Sequence, residues 1–180
     1  MNSRIGVSVV VSLVLFAACR PQTQVGSPSG ATGRATIRNA AGATIGVLLL
    51  EPTSRGVHIT GTLTSLPAGA HGIHLHSVGK CDASDFATAG SHFNPGGAHH
   101  GLENPAGPHA GDLPNITVSP DGQAVVDLTT PRVTLSATAP TGIFDADGTA
   151  VVIHVGQDDQ RTDPAGNSGA RIACGVVERS

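Results

Sequence analysis

The histidines of this chain are the residues whose types and spacing could do chemistry, since nine of them stand beside a single lysine. His74 and His76 are two positions apart in an apolar segment, and alternate residues of a strand project from one face. His154 stands in another apolar segment, residues 151–155. Four further histidines, at positions 92, 99, 100 and 109, and Asp112 lie between residues 77 and 113.

This set is rich in nitrogen, with one carboxylate, and therefore predicts transition-metal chemistry. Neutral imidazole suits copper and zinc, whereas calcium and magnesium prefer oxygen ligands. Three histidines and one aspartate can close a tetrahedral zinc shell, and four histidines can hold copper with room for a small ligand. We expect one structural and one reactive metal. Taken alone, His74 and His76 could instead be two solvent-facing polar residues, and His154 a hydrogen-bonded core residue.

The first 18 residues read as a secretory signal peptide, with Arg4 followed by an apolar run too short to span a membrane. The next residue is Cys19, and the segment 16–19 (Phe-Ala-Ala-Cys) resembles a bacterial lipobox. We predict cleavage before Cys19, a lipid on its sulfur, a flexible linker over residues 19–32 and a folded domain over 33–180. The protein would then be exported and lipid-anchored to a membrane of the bacterial cell envelope. Ordinary secretion is the alternative, because Phe16 stands where leucine is usual.

The cysteine count predicts a disulfide, and the charge excludes one class of binding partner. With Cys19 lipidated, Cys81 and Cys174 remain as an even pair in an oxidising compartment, for which a disulfide is the economical assignment. The formal net charge is −3, there is no run of lysine and arginine, and tryptophan and tyrosine are absent. These features exclude nucleic acid as the expected partner.

The elements that must position the histidines are predicted to be strands. Alternation of apolar and polar residues indicates strands at 34–39, 43–50, 57–63, 72–76, 116–119, 123–128, 149–155 and 171–177, with a weaker one at 133–136. Sustained helical periodicity is confined to the signal peptide, so the domain is predicted to be an antiparallel all-β sandwich or barrel. Two long connections, residues 77–113 and 156–170, interrupt it and are expected to be functional.

Several segments resemble the copper-zinc superoxide dismutase family in its exported bacterial lipoprotein form. They follow one another in family order across most of residues 33–178. The matching segments are 72–76 (GIHLH), 91–95 (SHFNP), 100–101 (HG), 109–113 (HAGDL), 152–154 (VIH) and 166–175 (GNSGARIACG).

The resemblance implies an eight-stranded antiparallel Greek-key β-barrel with two long functional loops, and one copper and one zinc ion per subunit. The copper ligands would be His74, His76, His92 and His154, and the zinc ligands His92, His100, His109 and Asp112. Asp158 would link His74 to His100 from outside the metal shells. Arg171 would lie beside the copper site, and Cys81 and Cys174 would form the family's disulfide.

The implied reaction is conversion of superoxide to dioxygen and hydrogen peroxide, with His92 and Arg171 as catalytic residues, protecting the cell envelope. Arg161 and Lys80 are further candidates for local positive charge. Two other functions remain open: a copper or zinc buffer without turnover, and a scaffold domain that metals only stabilise. The only expected membrane contact is the lipid on Cys19, and a homodimer is left open. His58, His71 and His99 are not expected to bind metal, and His71 is expected to be structural.

Overall fold

The computed structural model describes residues 30–180 of the chain. The predicted signal peptide, Cys19 and nearly all of the predicted linker lie outside the described residues. The described part contains one short 3-10 turn and nine strands. The strands are β1 (Gly33–Asn39), β2 (Thr44–Thr53), β3 (Gly56–Leu63), β4 (Gly69–His71), β5 (Ile73–His76), β6 (Ile116–Val118), β7 (Ala124–Thr130), β8 (Ala150–His154) and β9 (Arg171–Arg179). No helix in this part is long and apolar enough to cross a membrane.

Side-chain alternation explains how these strands enclose a core. In β1, Ala35 and Ile37 are fully buried while Arg34 and Arg38 are exposed. The same two-residue period on β2 and β3 buries an aliphatic set of Leu48, Leu50, Ile59 and Leu63. One continuous aliphatic cluster therefore fills the interior, as expected for a sheet with one face in water.

The strand order confirms the predicted antiparallel all-β fold. Seven strands form a curled sheet in the order β5-β8-β9-β1-β2-β3-β7, and β4 pairs with β6. The chain passes from β4 to β5 through Gly72 alone, so the two are one interrupted strand and the barrel has eight strands. Since β6 and β7 are joined by a short turn, the spatial order is β3, β7, β6, β4, which is Greek-key connectivity.

The structure corrects one predicted element. Residues 133–136 do not form a strand, because Thr134 makes only an isolated bridge to Gly142. This segment belongs to the connection between β7 and β8, in which the amide of Ile143 donates to the carbonyl of Thr134.

The two long connections lack strands, as predicted. The segment 77–115 holds only the turn Ala87–Ala89 and isolated bridges, and the segment 155–170 holds no strand. The predicted disulfide is confirmed: Cys81 is bonded to Cys174 and ties the first connection to β9. Gly72 allows the second connection to pack closely, since a Cβ there would lie 3.0 Å from the Cβ of Ser168.

Candidate metal centre

The histidines converge because the long connection 77–115 covers the free edge of β5. The amides of Leu75 and Phe93 donate to the carbonyls of Gly111 and Leu75 respectively, so two segments of the connection lie beside this strand. Gly111 is required there, because a Cβ would lie 2.3 Å from the carbonyl oxygen of Leu75. On the other edge, β5 pairs with β8, which brings His154 to the same place.

Four histidines form a first cluster, which we call the four-histidine group. All are buried, and one nitrogen from each lies within 4.8 Å of the others. The members are His74, His76, His92 and His154.

Each ring of the four-histidine group has one buried nitrogen without a hydrogen-bond partner. These atoms are Nδ1 of His74 and Nε2 of His76, His92 and His154. Buried polar atoms are costly to leave unpaired, and four that converge are explained by a shared metal ion. The donor set therefore fits a transition metal.

The opposite ring nitrogens fix how these imidazoles are oriented. His76 Nδ1 donates to the carbonyl of Gly90 at 3.0 Å, and His154 Nδ1 donates to that of Gly169 at 3.0 Å. His74 Nε2 donates to Asp158 Oδ2 at 2.7 Å. Such bonds set the tautomer, leaving a lone pair on the nitrogen that faces the group.

A second cluster surrounds a single carboxylate oxygen, and we call it the Asp112 group. Asp112 Oδ1 lies 3.0 Å from His92 Nδ1, 3.0 Å from His100 Nδ1 and 3.3 Å from His109 Nδ1. The Nδ1 atoms of His92 and His109 are 3.4 Å apart. Ligands at zinc–nitrogen distances of about 2.0–2.1 Å in a tetrahedron are about 3.3 Å apart, so the spacing fits zinc.

His74 also has a ring nitrogen near this second cluster. Its Nε2, however, is engaged by Asp158, and its Nδ1 belongs to the four-histidine group. His109 rather than His74 therefore supplies the fourth atom of the Asp112 group. His92 alone is shared, with Nε2 in the first cluster and Nδ1 in the second.

Asp158 connects the two clusters from outside. Its Oδ2 accepts from His74, and its Oδ1 accepts from His100 Nε2 at 3.0 Å. The side chain of Asn115 holds the Asp158 backbone, because it donates to the carbonyl at 2.8 Å and accepts from the amide at 2.9 Å. The carboxylate is thus fixed in place on both sides.

Burial keeps three of the four rings of the four-histidine group neutral. Burial lowers the pKa of His74 to about 3, of His76 to about 2 and of His154 to about 4. Around Asp112, burial alone would raise the pKa of the carboxyl, but hydrogen bonds from His100 and His92 outweigh it and hold this pKa well below its usual range. For His100, burial is outweighed by its bonds to Asp112 and Asp158, which raise its pKa to about 9.

Arg171 begins β9 beside the four-histidine group. Its Nη1 donates to the carbonyl of Phe86 at 2.6 Å, and its Nη2 donates to that of Gly90 at 2.6 Å. The Gly90 carbonyl also accepts from His76, which joins the guanidinium to this group. Arg161 does not supply an unpaired positive charge, because its guanidinium forms an exposed ion pair with Glu103. Lys80 is exposed.

Comparison with known proteins identifies the family. A family model described as "Copper/zinc superoxide dismutase (SODC)" matches residues 44–177. The chain belongs to the copper/zinc superoxide dismutase family. "Superoxide dismutase [Cu-Zn] 1" of Aquifex aeolicus is 48% identical over 145 residues, covering 80% of this chain and 86% of the relative. "Superoxide dismutase-like protein YojM" of Bacillus subtilis is 39% identical and covers 87% of this chain and 81% of the relative.

Solved structures of copper/zinc superoxide dismutases and related proteins have the same fold. A double mutant of a SOD-like protein from Bacillus subtilis superposes with a TM-score of 0.77 at 41% identity, covering 79% of this chain and 95% of the other. The Cu/Zn superoxide dismutase from Brucella abortus superposes with a TM-score of 0.68 at 27% identity, covering 82% and 99%.

The remaining histidines of the described residues lie outside both clusters. The nitrogens of the His71 ring lie 2.8 Å from the carbonyl oxygens of Pro67 and His154, so this ring joins two backbone segments. His58 Nε2 contacts Asp127 at 2.7 Å on the outer face of the barrel. His99 is largely exposed.

Sequence reasoning did not find three contributors to the site. The side chain of Asn115 holds the backbone of Asp158. The carbonyl of Gly90 accepts from both His76 and Arg171. The Nη2 of Arg132 donates to the carbonyl of Asp112 at 2.6 Å. No local pattern marks them, because each acts through contacts between residues far apart in the chain.

Proposed function

We propose that this protein is a copper-zinc superoxide dismutase that converts two superoxide anions and two protons to dioxygen and hydrogen peroxide. The observation that carries the proposal is His92, whose two ring nitrogens belong to two different buried ligand sets. His92 would therefore be a ligand of both metal sites, and the contacts of its Nδ1 would keep the ring in place while its Nε2 takes part in the chemistry.

The two ligand sets differ in chemistry, and this assigns the metals. The four-histidine group offers only nitrogen and suits copper, with His74, His76, His92 and His154 as ligands. The Asp112 group offers three nitrogens and one oxygen at tetrahedral spacing and suits zinc, with His92, His100, His109 and Asp112 as ligands.

Copper supplies the one-electron chemistry of the reaction when it is bound. The chain contributes charge, orientation and protons. Arg171 places a half-buried guanidinium beside the four-histidine group, where it attracts and orients anionic superoxide. His92 Nε2 faces the same space and is placed to hold the proton that the reduced superoxide needs.

The decisive experiment is the superoxide decay rate, followed by pulse radiolysis, of protein loaded with copper and zinc. A strong chelator removes the contribution of free copper. We expect a rate constant near ~10⁸–10⁹ M⁻¹s⁻¹, the diffusional range. We expect the His154→Ala variant to lose most of it and the His58→Ala variant to keep it, because His58 lies outside both clusters. Activity no better than chelated buffer, with both metals bound, would contradict the proposal and favour metal buffering.

We further propose that the protein acts in the bacterial cell envelope, anchored by a lipid on Cys19, and protects that compartment from superoxide. The segment 16–19 and the Cys81–Cys174 disulfide support export, since disulfides persist in oxidising compartments. Labelled fatty acid should enter the wild-type protein, and the Cys19→Ala variant should remain unlabelled and leave the membrane fraction. Sedimentation of this variant also decides between monomer and homodimer. An unlabelled wild-type protein would contradict anchoring.

A further inference from the structure

Arg132 lies two residues after the end of β7, on the connection to β8, and reaches into the base of the Asp112 group. Its Nη2 donates to the backbone carbonyl of Asp112 at 2.6 Å. Its Nε is buried and has no acceptor among the described residues. The guanidinium is half-buried and borders a cleft of about 360 Å³ that is also lined by Asn94, Pro108 and Thr141.

The bond from Arg132 ties Asp112 to a part of the barrel that its other contacts do not reach. The carboxylate accepts backbone bonds from Gly101 at 2.8 Å and His109 at 2.9 Å through Oδ2, which leaves Oδ1 facing the three imidazoles. All of these partners lie on the same long connection, 77–115. The backbone of Asp112 also forms an isolated bridge to His74 of β5. Arg132 follows β7, so its bond ties the carboxylate-bearing residue to a second strand of the barrel. A hydrogen bond from a charged donor is about twice as strong as a neutral one.

The charge of Arg132 and its hydrogen bond act on a bound dication in opposite directions. Among the described residues Arg132 has no carboxylate within ion-pair distance, so its positive charge would repel zinc and weaken binding. The bond to the Asp112 carbonyl holds the ligand residue in place and would strengthen binding. The cleft gives the guanidinium access to water, which screens its charge and reduces this repulsion.

We infer that Arg132 is a positioning residue of the zinc site: it holds the Asp112 backbone against the barrel and so raises zinc affinity. This inference rests on the zinc assignment proposed above. It predicts that loss of the guanidinium weakens zinc binding although a positive charge is removed.

The test compares zinc binding by the wild-type protein and by the Arg132→Met, Arg132→Gln and Arg132→Lys variants, measured by competition with a chromogenic chelator. We expect Arg132→Met and Arg132→Gln to bind zinc about 10- to 100-fold more weakly, and Arg132→Lys to recover part of the loss. Cobalt substituted for zinc should show an altered visible spectrum in the first two variants, because that spectrum reports ligand geometry. The matched control is Arg38→Met, which removes an exposed arginine bond to the Gly42 carbonyl at 3.3 Å and should change neither readout.

Zinc affinity in Arg132→Met equal to or higher than that of the wild type would overturn the inference, as would a lowered thermal midpoint of the metal-free variant with unchanged zinc affinity. If Arg132→Met does not fold, Arg132→Gln decides by the same criteria. The His109→Ala variant distinguishes failure of the inference about Arg132 from failure of the zinc assignment. If it binds zinc as tightly as the wild type, the assignment itself is wrong.

Discussion

At the scale of single residues, Asp158 is the group on which both clusters depend. Its two oxygens hold the Nε2 atoms of His74 and His100, which leaves Nδ1 of each ring facing a different ligand set. The carboxylate is buried, and burial would raise its pKa, but the bonds from His100 and His74 hold this pKa well below its usual range. Asp158 therefore stays ionised and accepts from both rings.

We expect Asp158→Asn to lower the affinity for both metals by about 10- to 100-fold. The amide has only one acceptor oxygen, whereas the ring N–H groups of His74 and His100 each need an acceptor. Chelator competition with copper and with zinc measures the change. Asp127→Asn is the matched control, since Asp127 accepts from His58 at the same 2.7 Å but on the exposed face. Unchanged affinity for both metals would show that Asp158 does not position these rings.

Arg171 is the charged residue placed to act on the substrate rather than on the metals. We expect Arg171→Met to lower the superoxide rate constant by about 10-fold or more, since local charge changes encounter rates in that range, and to leave the metal content unchanged. Arg161→Met should have little effect, because Glu103 already neutralises that arginine. Pulse radiolysis of both loaded variants makes the comparison. Equal rates for Arg171→Met and the wild type would remove Arg171 from the mechanism.

At the scale of elements, the long connection 77–115 supplies most of the contacts that assemble the site. It lies along the free edge of β5 and supplies the carbonyls of Phe86 and Gly90 that hold Arg171. The disulfide between Cys81 and Cys174 joins this connection to β9 close to Arg171. A second, smaller apolar cluster of Phe86, Ala89, Ala150, Val152 and Cys174 packs beneath it.

Removing the disulfide should therefore affect stability and the position of Arg171 together. The bond closes a loop of 93 residues, for which chain entropy gives about 4–5 kcal/mol of stabilisation. We expect the double variant Cys81→Ala, Cys174→Ala to lose roughly that amount in urea unfolding of the metal-free protein, and its metal-loaded form to have a lower superoxide rate constant. A loss below about 1 kcal/mol would mean that packing alone holds the connection in place.

At the scale of the whole molecule, the protonation of the site makes stability depend on pH when no metal is bound. Histidine in an unfolded chain has a pKa of about 6.5, whereas burial lowers the pKa of His74, His76 and His154 to about 3, 2 and 4. Below pH 6.5 the unfolded chain binds protons that the folded protein excludes. The free energy of unfolding must then fall as the pH falls.

We expect the metal-free protein to lose stability between pH 6.5 and pH 4.5, with a slope of up to about 1.4 kcal/mol per pH unit for each of the three histidines. His100 acts in the opposite sense: its pKa is raised to about 9, so its contribution is present below pH 6.5 and is lost as the pH rises through about 9. Urea unfolding at pH 4.5, 6.5 and 8.5 measures the effect of the three buried histidines and the opposite effect of His100. Stability that is constant from pH 6.5 to pH 4.5 would contradict the buried, neutral state of the first three rings.

The sequence by itself predicted the all-β class, the positions of most strands and the two long connections. It did so because apolar alternation and turn residues are local signals that a strand carries wherever it lies. The transition-metal chemistry of the candidate site could also be predicted from the sequence, since histidines and one aspartate limit the metals that can bind. The error at residues 133–136 has the same origin: a short apolar alternation also occurs in a connection that packs on a barrel.

Only the tertiary structure decided which atoms meet. It showed that β4 and β5 are one strand interrupted at Gly72. The family resemblance had implied the ligand residues, and the structure showed which atom of each ring faces which cluster, with Nε2 of His92 in the four-histidine group and Nδ1 in the Asp112 group. It also revealed Asn115, Gly90 and Arg132, which act through bonds between segments distant in the chain. The physical reason is that residue type and spacing specify what a side chain can donate or accept, whereas its partner depends on how strands and connections pack.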